Sequence, residues 1–92
     1  MIRRRLVITG RVQGVFYRAW FAERMRAIGI RGWVRNRADG SVEAVAEGPN
    51  EVVEQAIALA RQGSPAARVD AVTVTEDPPA EVLEGFAKRT TM

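Results

Sequence analysis

The sequence predicts an α+β fold with its elements in the order β-α-β-β-α-β. Three features carry that prediction: short stretches in which apolar and polar residues alternate, two longer stretches with an apolar residue every three or four positions, and glycine- or proline-bearing breaks between them.

The first strand runs from about Arg3 to Thr9, where Leu6 and Ile8 alternate with Arg5, Val7 and Thr9. Gly10 and Gly14 bracket a short loop. Beyond it Tyr17, Phe21, Met25 and Ile28 share one helical face, so a helix is expected from about Phe16 to Ile28, stopped by Gly29. Ile30 to Arg37 alternates as a second strand, Asp39-Gly40 is a hairpin turn signal, and Val42 to Glu47 supplies the antiparallel partner. Gly48-Pro49-Asn50 ends that strand, with Asn50 the expected N-cap of a second helix. The apolar stripe of this helix is Val53, Ala56, Ile57 and Ala60, and it should stop near Gly63. Val69 to Glu76 reads as a fourth strand, Asp77-Pro78-Pro79 as a loop, and Phe86 to Arg89 as a short additional edge strand.

Crossovers are right-handed and helices must cover one sheet face. The economical arrangement is therefore a four-stranded antiparallel sheet with both helices on one side, the ferredoxin-like sandwich. At 92 residues, with neither repeats nor linkers, the expectation is one domain over residues 1–92.

Composition narrows the chemistry. Hydrophobic residues at 47% and charged residues at 27% fit a globular chain rather than disorder. The absence of cysteine and histidine removes disulfides, thiolate and imidazole nucleophiles, histidine acid–base work and the usual zinc ligand sets. The net charge of +3 is split unevenly: residues 1–37 hold ten arginines against the single acid Glu23, while residues 38–92 hold four bases against ten acids. The first half thus looks built to attract an anion. Glu43, Glu47, Glu51, Glu54, Glu81 and Glu84 read as a solvated acidic surface, with no spacing that suggests a metal box or a catalytic carboxylate pair. No stretch approaches the about 20 apolar residues of a membrane span. The run Leu6-Val7-Ile8 after Arg3-Arg4-Arg5 is shorter than the about 7–15 apolar residues of an export signal, so a cytoplasmic location is expected.

The segment Thr9 to Arg18 is the most informative. A strand turning through a glycine-flanked loop into a helix start leaves backbone N–H groups unpaired, backed by the positive end of the helix dipole. Arg18, in the first helical turn, can lean back over that loop and offer two parallel donors to phosphate oxygens. Val15 and Phe16 stand where a Walker loop has its lysine and Ser/Thr, so neither nucleotide nor magnesium is implied. A tight turn with a solvated arginine fits the same residues. Asn36, near the end of strand two with the parity of Ile30 and Val34, faces the helix-covered side at the sheet rim. There its carboxamide can hold a water or an oxyanion; equally, it can simply open the turn. Trp33, flanked by Arg31 and Arg35 on the other face, resembles a base-stacking platform, but the spacing of an RNP1 motif is not met and packing on the sheet accounts for it. Tyr17 fits the core stripe.

Two motifs are similar to the signatures of the acylphosphatase family. Gly10-Arg11-Val12-Gln13-Gly14-Val15-Phe16-Tyr17-Arg18 resembles G-x-V-Q-G-V-x-[FY]-R, and Gly32-Trp33-Val34-Arg35-Asn36, with Gly40, Val42 and Gly48 after it, resembles the second signature. Both match at every fixed position. Gly63-Ser64-Pro65-Ala66-Ala67-Arg68-Val69 departs mildly from the family's G-P-P-x-A-x-V, in a loop away from the motifs. The resemblance implies the ferredoxin-like fold and hydrolysis of the carboxyl–phosphate bond of acyl phosphates without a metal or other cofactor. It implies that Arg18 binds the phosphate, that Asn36 orients the attacking water, and that the amides of Gln13, Gly14, Val15, Phe16 and Tyr17 form the phosphate cradle. The expected partner is a small-molecule acyl phosphate, with neither a membrane nor nucleic acid, and the expected state is a monomer. Chemistry agrees: a carboxylate, whose conjugate acid has a pKa of about 4, leaves without a general acid, so a chain lacking histidine and cysteine can do this reaction. No general base is evident, and the water's proton is expected to pass to a phosphate oxygen of the substrate. Two rivals use the same residues differently: a single-strand nucleic-acid binder on the sheet face around Trp33, and a phosphate-sensing regulatory domain, which would not need Asn36.

Overall fold

The computed structural model describes residues 1–77 and 81–91. The elements are β1 (Ile2–Arg11), α1 (Tyr17–Ile28), β2 (Arg31–Asn36), β3 (Val42–Gly48), α2 (Asn50–Gln62), β4 (Arg68–Glu76) and β5 (Phe86–Lys88). They form one sheet in the order β4-β1-β3-β2-β5. The β1–β3, β1–β4 and β2–β3 pairs are antiparallel, as expected, but β5 adds a parallel pair with β2, so the sheet is five-stranded and mixed rather than four-stranded and antiparallel.

The alternation in each strand sorts side chains as the sequence implies. Leu6 and Ile8 of β1, Val34 of β2, and Val42, Ala44 and Ala46 of β3 are fully buried against the helices. From α1, Tyr17, Phe21, Ala22 and Met25 meet them, and from α2, Val53, Ala56, Ile57 and Ala60. Phe86 of β5 joins this core edge-on to Phe21, with ring centroids 5.8 Å apart. Gly29 closes α1 with φ 76°, its N–H reaching Arg26 O and the next N–H, of Ile30, reaching Met25 O.

The start of α2 differs from expectation. The helix begins one residue earlier: Pro49 is the N-cap, its carbonyl accepting from Val52 and Val53, and Asn50 is already helical and makes no capping bond. Proline at the cap works because only its carbonyl is needed there. Of the loop Asp77-Pro78-Pro79, the two prolines lie outside the described residues.

The face of the sheet away from the helices is the larger surprise. Register aligns Arg3, Glu47 and Arg31 in one row and Glu43 with Arg35 in another. Glu43 is only 5% exposed and Glu47 is half-buried, so these two are not part of a solvated acidic surface. Arg3 donates to Glu47 at 2.8 and 2.9 Å, Arg35 lies 2.6 Å from Glu43, and Arg5 bridges Glu43 and Asp77. Beside this network Trp33 packs with Val45 and Leu83 as a second, small apolar cluster. The guanidinium carbons of Arg35 and Arg89 lie 4.7 and 4.8 Å from its ring centroid, and the indole is 5% exposed. Trp33 is a covered packing residue, and its face is not free to stack on a base.

Candidate active site

At the end of β1 the chain passes a register shift between Thr9 and Gly10. Gly10 lies so close to β4 that a Cβ there would sit 2.2 Å from Arg68 O, which is why this position takes glycine. The shift turns the chain out of the sheet into residues 12–16. Val12 and Val15 anchor this loop in the core, and Gly14 turns it with φ 72° in open space. Phe16 then takes a left-handed conformation, φ 58° and ψ 25°, as the N-cap of α1, its carbonyl accepting from Trp20 at 3.1 Å. The helix therefore starts at Tyr17 rather than Phe16.

Among the described residues, no N–H of Gln13 to Tyr17 donates to a protein acceptor. The loop is held instead through the Gln13 side chain, whose Nε2 donates to Arg37 O and Ser41 O at 2.8 Å each. Those carbonyls belong to the β2–β3 hairpin that carries Asn36. One carboxamide thus fixes the loop against the element bearing the second site residue.

Between loop, helix start and hairpin lies a cavity of about 270 Å³. Gln13, Gly14, Phe16, Tyr17, Arg18 and Asn36 line it, so the structure brings together nearly all the residues singled out in the sequence. Val15 is the exception: its side chain is buried in the core and its carbonyl accepts from Ser64 Oγ. Arg18 is half-buried, with Nη1 donating to Arg89 O at 3.2 Å, and among the described residues it has no carboxylate partner. Its charge is held in place without being neutralised. Asn36 Oδ1 is buried with no protein hydrogen-bond partner. Tyr17 donates its hydroxyl to Ala60 O at 2.9 Å, and burial pushes its phenol well above the ordinary value, so it acts as packing and not as an acid or base.

Lys88 also lines the cavity, a residue that sequence reasoning missed. It arrives on β5, whose parallel pairing with β2 sets Lys88 opposite Val34, two positions from Asn36. The available signal was the strand alternation from Phe86, which gives an element but not its partner. Among the described residues no acidic side chain lines the cavity and no three His, Cys, Asp or Glu side chains cluster as metal ligands.

The family model described as Acylphosphatase matches residues 4–88. The chain belongs to the acylphosphatase family. An acylphosphatase of Rhizorhabdus wittichii is 55% identical over 91 residues, covering 99% of this chain and 91% of the relative, and one of Acidiphilium cryptum is 47% identical over 92 residues, covering 99% of each. Among solved structures, the acylphosphatase of Bacillus subtilis is similar with a TM-score of 0.91 at 35% identity, covering 97% of this chain and 99% of that one. The chain is an enzyme, and its activity is acyl phosphate hydrolysis.

Proposed function

We propose that hydrolysis takes place in the cavity between the loop, the start of α1 and the β2–β3 hairpin, without a metal, and that Arg18 and Asn36 are its catalytic residues. The observation that carries this reading is the juxtaposition of a cation without a carboxylate partner, a row of unpaired amides at a helix N-terminus and a buried, unpartnered carboxamide oxygen in one cavity.

Each group has a task. The phosphoryl oxygens sit against the N–H groups of Gln13 to Tyr17, where the helix dipole favours negative charge, and Arg18 closes over them with charge-assisted bonds. Lys88 adds positive potential at the rim. Asn36 Oδ1 accepts a hydrogen from the attacking water and so fixes its direction towards phosphorus. As the water oxygen bonds to phosphorus, the bond from phosphorus to the carboxyl oxygen breaks and the carboxylate departs with that electron pair. The water's proton passes to a phosphoryl oxygen, since among the described residues no carboxylate or imidazole lines the cavity to take it. What remains for the protein is positioning and charge stabilisation, which suffices for a loose phosphoryl transition state. The donor set supports the metal-free reading, because a cavity lined by Arg18 and Lys88 and, among the described residues, by no acid repels a cation.

The same reading makes residues 1–92 one domain that acts as a monomer in the cytoplasm. Its support is that the basic segment Arg3-Arg4-Arg5 is part of β1, lying between β4 and β3 in the sheet; among the described residues no helix is long and apolar enough to cross a membrane.

The test is phosphate release from a simple acyl phosphate in excess chelator. Wild type is expected to turn over. Arg18→Gln should lose at least about two orders of magnitude while keeping its circular dichroism spectrum, in line with removal of a transition-state charge donor. Full turnover by that variant would place the chemistry elsewhere.

A further inference from the structure

Phe16 is the only non-glycine residue with positive φ among the described residues. A left-handed backbone is unfavourable for a bulky side chain, and such strain persists where something other than local folding requires it. Gly14, two positions earlier in the same loop, meets the same demand with glycine at φ 72°. Folding returns nothing to Phe16 for the strain. Its side chain is 85% exposed, outside the core, while the adjacent Tyr17 is 1% exposed. Both the backbone angle and the contact with water thus argue against phenylalanine at this position. Yet the ring belongs to the lining of the cavity that holds Arg18 and Asn36.

The polar lining groups serve the phosphoryl end of a substrate and the water. The exposed apolar lining is Phe16 together with Ala19, one helical turn further on and small enough to leave room beside the ring. We infer that Phe16 is a specificity residue, an apolar platform for the acyl group, which favours acyl phosphates with a flat aromatic or branched apolar acyl group over acetyl phosphate. This rests on the cavity being the site of hydrolysis. Stacking an aromatic acyl group on the ring removes apolar surface of both partners from water, with an added aromatic pair term; an acetyl group offers little to stack.

The experiment compares kcat/KM for benzoyl phosphate and acetyl phosphate in wild type, Phe16→Ala and Phe16→Tyr. The Phe16 amide also belongs to the cradle, so the readout is the ratio of the two values, with inhibition by inorganic phosphate reporting any change in the cradle itself. Phe16→Ala is expected to lower the benzoyl-to-acetyl ratio about tenfold, and Phe16→Tyr to hold it within about twofold of wild type. An unchanged ratio in Phe16→Ala overturns the inference, as does equal loss on both substrates. Failure of the underlying site reading shows separately, as full turnover in Arg18→Gln.

Discussion

Asn36 sits where stability and chemistry pull in opposite directions. It has the parity of Val34, which packs in the core, but at the rim its carboxamide oxygen is buried without a protein partner. An unsatisfied buried acceptor costs about 1–3 kcal/mol. A residue that only opened the turn would not carry that penalty, so the two readings separate in one variant. Asn36→Ala should lower kcat by roughly 10²–10³ while inhibition by inorganic phosphate changes little, and the urea midpoint should not fall. A drop in stability with full kcat would restore the turn-opening reading. At this scale Arg18 and Asn36 were legible because strand parity and the helix start fix where their side chains project. The left-handed turn at Phe16 was not, since a phenylalanine two residues past Gly14 and next to Tyr17 reads as the first residue of the helix; only the course of residues 12–16 between β1 and α1 imposes the angle.

Elements whose signals are local were legible, and so was the short edge strand at Phe86, but not the partner that tertiary contact gives it. The helices, the hairpin and the long strands follow from periodicity and turn residues. β5 spans three residues and owes its place to distant groups: Arg26 Nε donates to Phe86 O at 3.0 Å, Gly32 N to Gly85 O at 2.9 Å, and Arg89 N to Val34 O at 2.8 Å. No sequence period encodes those bonds, and so Lys88 escaped notice. The link between the loop of residues 12–16 and the hairpin is of the same kind. A single side chain of one element bridges two carbonyls of another, Arg37 O and Ser41 O, which also accept from Gly40 N and Arg37 N within the hairpin, so Gln13→Leu should leave the hairpin paired and remove its tie to the loop. We expect about 1–3 kcal/mol of lost stability in a urea melt, together with a higher KM for acyl phosphate as the loop loses its register against Asn36. A variant that melts like wild type would show that the two elements hold their positions without the clamp.

Across the whole molecule the charge asymmetry of the sequence cancels in part. Arg3, Arg5, Arg31 and Arg35 of the basic first half pair with Glu43, Glu47 and Asp77 of the acidic second half, on the sheet face away from the cavity. The positive excess is therefore narrower than the linear count implies, and Arg18 and Lys88 are the part of it that lines the cavity. The pairing also ties stability to pH. Burial works to raise the Glu43 pKa, but hydrogen bonds and charge from Arg35 and then Arg5 outweigh it and hold the carboxyl below its ordinary value of 4.5. The folded state thus favours the ionised form more than the unfolded chain does. That contribution is fully present above about pH 4.5, the unfolded value, and is lost as pH falls through the lower folded value. Asp39, held down by the Ser41 hydroxyl and N–H, acts in the same sense at the exposed turn, so some acid dependence survives without Glu43. Glu43→Gln should therefore be less stable than wild type at neutral pH, because Arg5 and Arg35 lose their shared partner, and the gap should close as the pH falls below 4.5 and through the lowered folded value. Urea midpoints of both proteins across that range are the measurement. A gap that stays constant with pH would mean that Glu43 contributes through packing and neutral hydrogen bonds rather than through its charge.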